Sequence, residues 1–196
     1  MGIEQLKKLR QITGISMIEC KKALEESQGS IEKALEILHR QGKIKAQKKA
    51  ERETGEGIIE SYIHSNGKVG VLLELNCETD FVARNPDFKE LAHELCLQIA
   101  AMAPQYIKPE DVPREFLDGE RKIYREQFSG SGKPAHIIEE IVEGKLKKYC
   151  EEISLLPQSF VKDEQKSIQD VINDYILKLG ENITVKRFVG FSIKTH

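Results

Sequence analysis

Ile58-Ile59-Glu60-Ser61-Tyr62-Ile63-His64, then Ser65-Asn66-Gly67-Lys68, then Val69-Gly70-Val71-Leu72-Leu73-Glu74-Leu75-Asn76 run consecutively, and their reading decides the fold. The outer two runs are rich in β-branched and apolar residues, and the Asn-Gly between them is a short-range hairpin signal. Val69, Val71, Leu73 and Leu75 alternate onto one face, the two-residue period of a strand. The segment therefore predicts an antiparallel pair.

On both sides of this hairpin the period lengthens. Downstream, Asn85-Pro86 supplies an N-cap followed by proline at the first helical position, and Phe88, Leu91, Leu95, Ile99 and Met102 form one stripe before Pro104. Helices are predicted from about 113 to 128 and from 134 to 152. A short extended piece near Phe160-Val161 precedes a helix whose apolar face is Ile168, Val171, Ile172, Tyr175, Ile176 and Leu179, stopped by Gly180. The last run places Ile183, Val185, Val189, Phe191 and Ile193 on one face of a strand, with Arg187 interrupting.

Upstream, three short helices are expected. Leu6 and Leu9 share a face before Thr13-Gly14, and Ser16 with Glu19 forms a capping-box pattern ahead of Met17, Cys20 and Leu24. Gly29 breaks the second helix, Ser30 is the expected N-cap of a third carrying Ile31, Ala34, Leu35 and Leu38, and Gly42 is its expected C-cap. Residues 43–56 then collect Lys43, Lys45, Lys48, Lys49 and Arg52 with few apolar partners, read as a solvated linker helix or as a nucleic-acid or membrane patch. The expected class is α+β: a three-helix domain at 1–42, a basic linker at 43–56, and a core at 57–196 of antiparallel sheet covered by helices.

The bulk numbers narrow the function classes. Of 196 residues 39% are apolar and 32% charged, which describes a soluble globular protein. Thirty Lys and Arg against 32 Asp and Glu give a net charge of −2, whereas a dedicated nucleic-acid binder carries a basic excess. No run approaches the ~20 apolar residues that span a bilayer, and Met1 to Leu6 lacks the features of a signal peptide. Cys20, Cys77, Cys96 and Cys150 stand far apart without a C-x-x-C pair, which suggests reduced thiols and a cytoplasmic location.

Signals for chemistry are weak. Ser129-Gly130-Ser131-Gly132-Lys133-Pro134 lacks a Walker A motif's first glycine, at Gln127, and its final Ser or Thr, at Pro134, so it reads as a flexible loop. His93 and Cys96 share a helical face, but two ligands do not make a metal site. No catalytic constellation can be named, so no enzyme, metal or cofactor is expected.

One segment is odd. Cys77-Glu78-Thr79-Asp80-Phe81-Val82-Ala83-Arg84-Asn85 connects strand to helix with a large aromatic beside an acid, where loops usually carry small polar residues. Either Phe81 folds back into the core while Asp80 caps a helical turn, or Phe81 projects to press on a partner.

Three motifs bring a resemblance. Leu9-Arg10-Gln11-Ile12-Thr13-Gly14, running on through Met17 to Cys20-Lys21-Lys22-Ala23-Leu24, resembles the amino-terminal signature of the elongation factor Ts family. Glu74-Leu75-Asn76 joined to Cys77 through Asn85 resembles its second signature, and Gly180-Glu181-Asn182-Ile183 through Arg187-Phe188 is similar to the end of a family core domain. Ile15-Ser16 departs from the family's usual small pair and is expected to alter the head's contact surface. The chain resembles the short form of the family, without a second core copy or an inserted helical hairpin.

The resemblance implies a non-enzymatic nucleotide-exchange factor with a UBA-like head. It implies that Leu9, Met17 and Ile18 dock on the nucleotide-binding domain of elongation factor Tu. It implies too that Thr79, Asp80, Phe81 and Val82 press on the helices beside that partner's Mg²⁺, with Phe81 as wedge. Short members pair as homodimers, some through a cysteine near the C-terminus. Here that neighbourhood, Arg187 to Phe191, has none, so a dimer would be held by packing, with the apolar final strand as candidate surface. Neither nucleic acid nor membrane is an expected partner.

Overall fold

The computed structural model describes residues 3–130 and 132–193. Met1, Gly2 and Ser131, which the signal-peptide and phosphate-loop readings used, lie outside the described residues. The chain forms two compact units: one runs to Ala100 and resumes at Gln169, and the other is Ala101–Ile168. The expected domains and these units divide the chain differently.

The first unit opens with α1 (Ile3–Thr13), α2 (Met17–Glu26) and α3 (Ile31–Lys49). Gly14 leaves α1 at φ +65°, a left-handed conformation in which glycine carries no Cβ penalty. Ser16 and Ser30 cap the next two helices by accepting from the Glu19 and Lys33 amides, each at 3.3 Å. Leu9, Ile15, Cys20, Ala23, Leu24, Ala34 and Leu38 form a buried cluster. Leu177, more than a hundred residues downstream, is buried in the same cluster.

Gly42 does not end α3, which continues to Lys49. A Cβ on Gly42 would stand 3.0 Å from the Asn173 carbonyl oxygen. The glycine is there because another helix crosses closely, which helix-stop reasoning cannot distinguish from a C-cap.

The hairpin forms as expected, with β1 (Glu56–Ile63) and β2 (Val69–Cys77) antiparallel. β5 (Ile183–Ser192) pairs antiparallel with the other edge of β2, giving the order β1-β2-β5. Leu75 faces Val185 while Glu74 faces Arg187, so Lys186 is an extra residue in a β-bulge. This corrects the predicted single face. Ile183 and Val185 share the buried side with Leu73, Leu75 and Cys77, whereas Val189 and Phe191 pair with Leu72 and Gly70 on the opposite side. One inserted residue reverses the parity of everything after it.

The buried side is covered by α5 (Pro86–Met102). His93 reaches Glu60 at 3.7 Å and meets the Tyr62 ring edge-on at 6.0 Å between centroids. The Asn85 side chain accepts from the Asp87 amide at 2.8 Å at the start of this helix. α8 (Ile168–Leu179) is tied to α5 through Lys178–Asp87 at 2.8 Å and Tyr175–Glu90 at 3.4 Å.

The second unit is built on α6 (Arg114–Phe128) and α7 (Ala135–Ile153), which pair as an antiparallel hairpin. Arg121 bonds Glu143 at 2.9 Å, Arg125 bonds Glu139 at 2.6 Å, and Phe116 stacks on Tyr149. The described residues of the glycine-rich segment lie between these helices: Ser129 hydrogen-bonds back to the Glu126 carbonyl and Pro134 is the N-cap of α7. Among the described residues, the element immediately before it is helix α6 and not a strand. A short antiparallel pair, β3 (Ser159–Phe160) and β4 (Asp163–Ser167), completes the unit.

Candidate functional site

The segment after β2 builds a platform for one exposed ring. Thr79 is extended, at φ −132° and ψ 156°, and caps a single helical turn, α4 (Asp80–Ala83), by accepting from the Val82 amide. Thr79, not Asp80, is the cap; Asp80 instead pairs with Arg84 at 2.9 Å. The turn directs Ala83 and Val82 inward and leaves Phe81 82% exposed. Of the two sequence readings, the structure therefore has Phe81 projecting. Val82, 9% exposed, anchors the turn and has little surface to offer a partner.

Two carboxylates hold the turn in place. Glu181 Oε2 accepts from the Glu78 and Thr79 amides at 3.1 and 3.0 Å, and its Oε1 accepts from the Thr79 hydroxyl at 2.6 Å. Reciprocally, Glu78 Oε1 accepts from the Asn182 amide at 2.6 Å and Oε2 from Arg52 at 3.3 Å. The Asn182 amide and Arg52 hold the Glu78 carboxyl below the usual carboxylate range. The Asn182 side chain closes the ring by donating to the Arg52 carbonyl at 2.9 Å. Charge-assisted bonds of this kind are shorter and stronger than neutral ones. Beneath the turn, burial and the neighbouring Glu181 push the Cys77 thiol up to about 11.

Glu78, Glu181, Asn182 and Arg52 were not among the predicted site residues. Glu181-Asn182 was visible as part of a family-like tail, but nothing local shows that it meets residues 78 and 79 across a hundred positions.

The head offers a second surface. Ile18 is 68% exposed and Met17 39%, on the first turn of α2. Lys7, Arg10, Gln11 and Met17 line a groove of about 420 Å³. Leu9 is a correction: it is fully buried in the helical cluster, because the α1 face carrying it points inward. It shapes the surface from beneath and offers none itself. Ile15 likewise enters the cluster, so the Ile15-Ser16 pair adds core and a helix cap in place of an altered contact surface.

Other candidates resolve differently. Four of the five residues of the basic run are engaged: Lys43 with Asp170 at 3.0 Å, Lys45 with Glu19, Lys49 with the Gly180 carbonyl, and Arg52 with Glu78. Cys96 is buried, with burial pushing its thiol up to about 12, while His93 points to Glu60. The helical pair is thus not brought together as a ligand set. Among the described residues, no helix is long and apolar enough to cross a membrane.

The sheet's other side carries exposed apolar residues among the described ones. Ile59, Ile63, Leu72, Val189 and Phe191 are all exposed there, around a hollow of about 290 Å³ crossed by the Arg187–Glu74 bond at 2.6 Å. A patch of this kind marks an interaction surface more often than a solvated face.

A family model described as "Elongation factor TS" matches residues 5–195. The chain is 57% identical to the elongation factor Ts of Thermosipho melanesiensis over 188 residues, covering 96% of each. It is 53% identical to that of Thermotoga neapolitana, covering 98% of this chain and 97% of the relative. With that of Thermodesulfovibrio yellowstonii it shares 54% identity over 97% of this chain and 94% of the relative.

Proposed function

The chain belongs to the elongation factor Ts family, and from that premise we propose that it promotes exchange of GDP for GTP on elongation factor Tu. The observation that carries the proposal is Phe81, a large apolar ring held out in solvent by a turn that two carboxylates immobilise. A ring so placed costs the free protein an unfavourable exposure that only a partner relieves.

The head binds the partner's nucleotide domain through Met17 and Ile18, while Asp80 and Phe81 press beside the Mg²⁺ that neutralises the nucleotide's phosphates. Thr79 and Val82 hold that turn. Shifting the elements around Mg²⁺ weakens the nucleotide's electrostatic anchorage. By linkage, if the factor weakens GDP binding by some ratio, GDP weakens factor binding by the same ratio. The factor therefore holds the nucleotide-free partner best and leaves when GTP refills the site. No covalent bond is made or broken, so the protein needs no catalytic acid, base, metal or cofactor and is not an enzyme in the usual sense.

The protein works as a homodimer in the cytoplasm. Its exposed apolar sheet face suits isologous pairing, in which the same patch meets itself across a twofold axis. Nucleic acid is left out of the reading because most of the basic run is already paired within the chain and the net charge is −2.

The test is release of a fluorescent GDP analogue from elongation factor Tu, with catalytic amounts of this protein. Acceleration with turnover is expected. Phe81→Ala removes a side chain worth about 1.5–3 kcal/mol when fully buried. Scaled by its 82% exposure in the free protein, that becomes roughly 1.2–2.5 kcal/mol, or about 8- to 60-fold in exchange efficiency. The melting temperature should hardly move. Unchanged exchange in this variant would sink the wedge assignment.

A further inference from the structure

We infer that His39 is a positioning residue that locks the three-helix head to α8 and so sets the spacing between its Met17–Ile18 surface and the Phe81 platform. His39, Gly42 and Lys43 lie at i, i+3 and i+4 on one face of α3. They meet Asp170, Asn173 and Asp174 on α8, and Leu177, further along at the same spacing, is buried in the head's apolar cluster. His39 Nδ1 lies 2.8 Å from Asp174 Oδ1, and Nε2 lies 3.6 Å from Asp170 Oδ1. Lys43 Nζ reaches the same Asp170 oxygen at 3.0 Å. A carboxylate only accepts, so the ring nitrogen facing Asp174 donates.

Three further contacts point the same way. Without a side chain, Gly42 lets the α3 backbone come close to the Asn173 carbonyl. Leu177 is 3% exposed inside the head's own apolar cluster, so α8 contributes part of the head's core. Lys178 runs against Gly14 at the end of α1 and bonds Asp87 on α5, tying the head's first turn to the core. The α3–α8 contact thus combines apolar packing, which holds, with a directional His–Asp bond, which orients. The basic stretch after Gly42 is a continuation of α3 and carries no hinge before Lys49.

On the exchange reading above, the consequence is bivalency. Two surfaces on one rigid body present the second contact at high effective concentration once the first has formed, and a swinging head dilutes that advantage. Loss of the lock should weaken engagement while sparing the step performed by Phe81.

Spin labels at Lys22→Cys on α2 and Ser65→Cys at the hairpin tip, both exposed sites, report head-to-sheet distances by double electron–electron resonance in the full chain, with labelled protein diluted in a large excess of unlabelled protein so that only pairs within one protomer are read. A single narrow distribution is expected, broadened by His39→Ala and by Asp174→Ala, and narrowed again by His39→Asn, which restores a donor near the Nδ1 position. In GDP release, His39→Ala should raise the half-saturating factor concentration about tenfold or more, with the maximal rate within about twofold. Far-UV circular dichroism shows whether each variant is folded, and Asp174→Asn gives a milder version should His39→Ala not fold. A narrow distribution in folded His39→Ala and Asp174→Ala overturns the lock; a broadened one with an unmoved half-saturation overturns the positioning role. If the unmutated protein fails to release GDP, the exchange reading falls and the positioning role with it, while the distance distribution still decides the lock.

Discussion

Glu181→Ala removes three hydrogen bonds at once, those from the Glu78 and Thr79 amides and from the Thr79 hydroxyl. Bonds to a charged group contribute about 1.5–3 kcal/mol each when shielded. The two to Thr79 are exposed, and water replaces much of what they supply. The Glu78 amide is partly buried and loses its partner outright, a cost of about 1–3 kcal/mol. Together these give about 2 kcal/mol, or roughly thirtyfold in the ratio of ordered to open turn. Hydrogen exchange read by mass spectrometry on a peptide covering residues 78–85 should lose protection by about that factor, while the head peptides stay unchanged. GDP release from elongation factor Tu should slow in parallel, with Glu181→Gln between the two because it keeps a carbonyl acceptor. Since Glu181 acts only by holding the turn that carries Asp80 and Phe81, Phe81→Ala/Glu181→Ala should lose beyond Phe81→Ala no more than the share Asp80 supplies, well short of the summed losses, a non-additive pair. Full additivity of the two losses, or unchanged protection in Glu181→Ala, would refute the platform account.

Other outcomes follow from the same geometry. Val189→Asp places a charge in the exposed sheet face and should convert a dimer to a monomer by sedimentation equilibrium with the melting curve little changed; a monomer before mutation removes this face from consideration. Glu78's carboxyl is held below its ordinary value by the Asn182 amide and Arg52. Its stabilising contribution is therefore complete above the unfolded-state pKa near 4.5 and is lost as pH falls through the lower folded-state value. Hydrogen exchange of residues 78–82 should loosen in that acid window, and Glu78→Gln should reduce the dependence by the share that Glu78 supplies. Cys77 and Cys96, with thiols pushed up to about 11 and about 12, should resist alkylation at pH 8 until the protein unfolds.

The helices and the hairpin were legible because their signals are local: capping serines, Asn-Gly, Asn-Pro, and apolar residues at fixed spacing. Phe81 was legible only as an oddity, since a strand-to-helix connection does not reveal which way its ring turns. What escaped depends on distant partners. Gly42 reads as a stop until Asn173 is seen beside it, and Lys186 looks like any strand residue until its pairing shows a residue too many. Leu9 carries the same periodic signal whether its face is a core or a contact. Glu181 has no signal at all without the amides it binds. Antiparallel packing of α6 against α7 was missed for a related reason, the ion pairs that align them being arranged across helices and not along one.

The unit containing the head is built from two segments far apart in sequence: residues 3–100 lack Leu177 and β5 until residues 169–193 arrive. During synthesis at about 5–20 residues per second, the ribosome takes roughly 3–14 s to make the intervening residues 101–168. Throughout that interval the nascent head has an open socket where Leu177 belongs, and β2 has an unpaired edge where β5 belongs. Completion of this unit is thereby deferred until residues 169–193 emerge, and a ribosome stalled within residues 101–168 leaves an unfinished head with apolar surface exposed to chaperones and proteases.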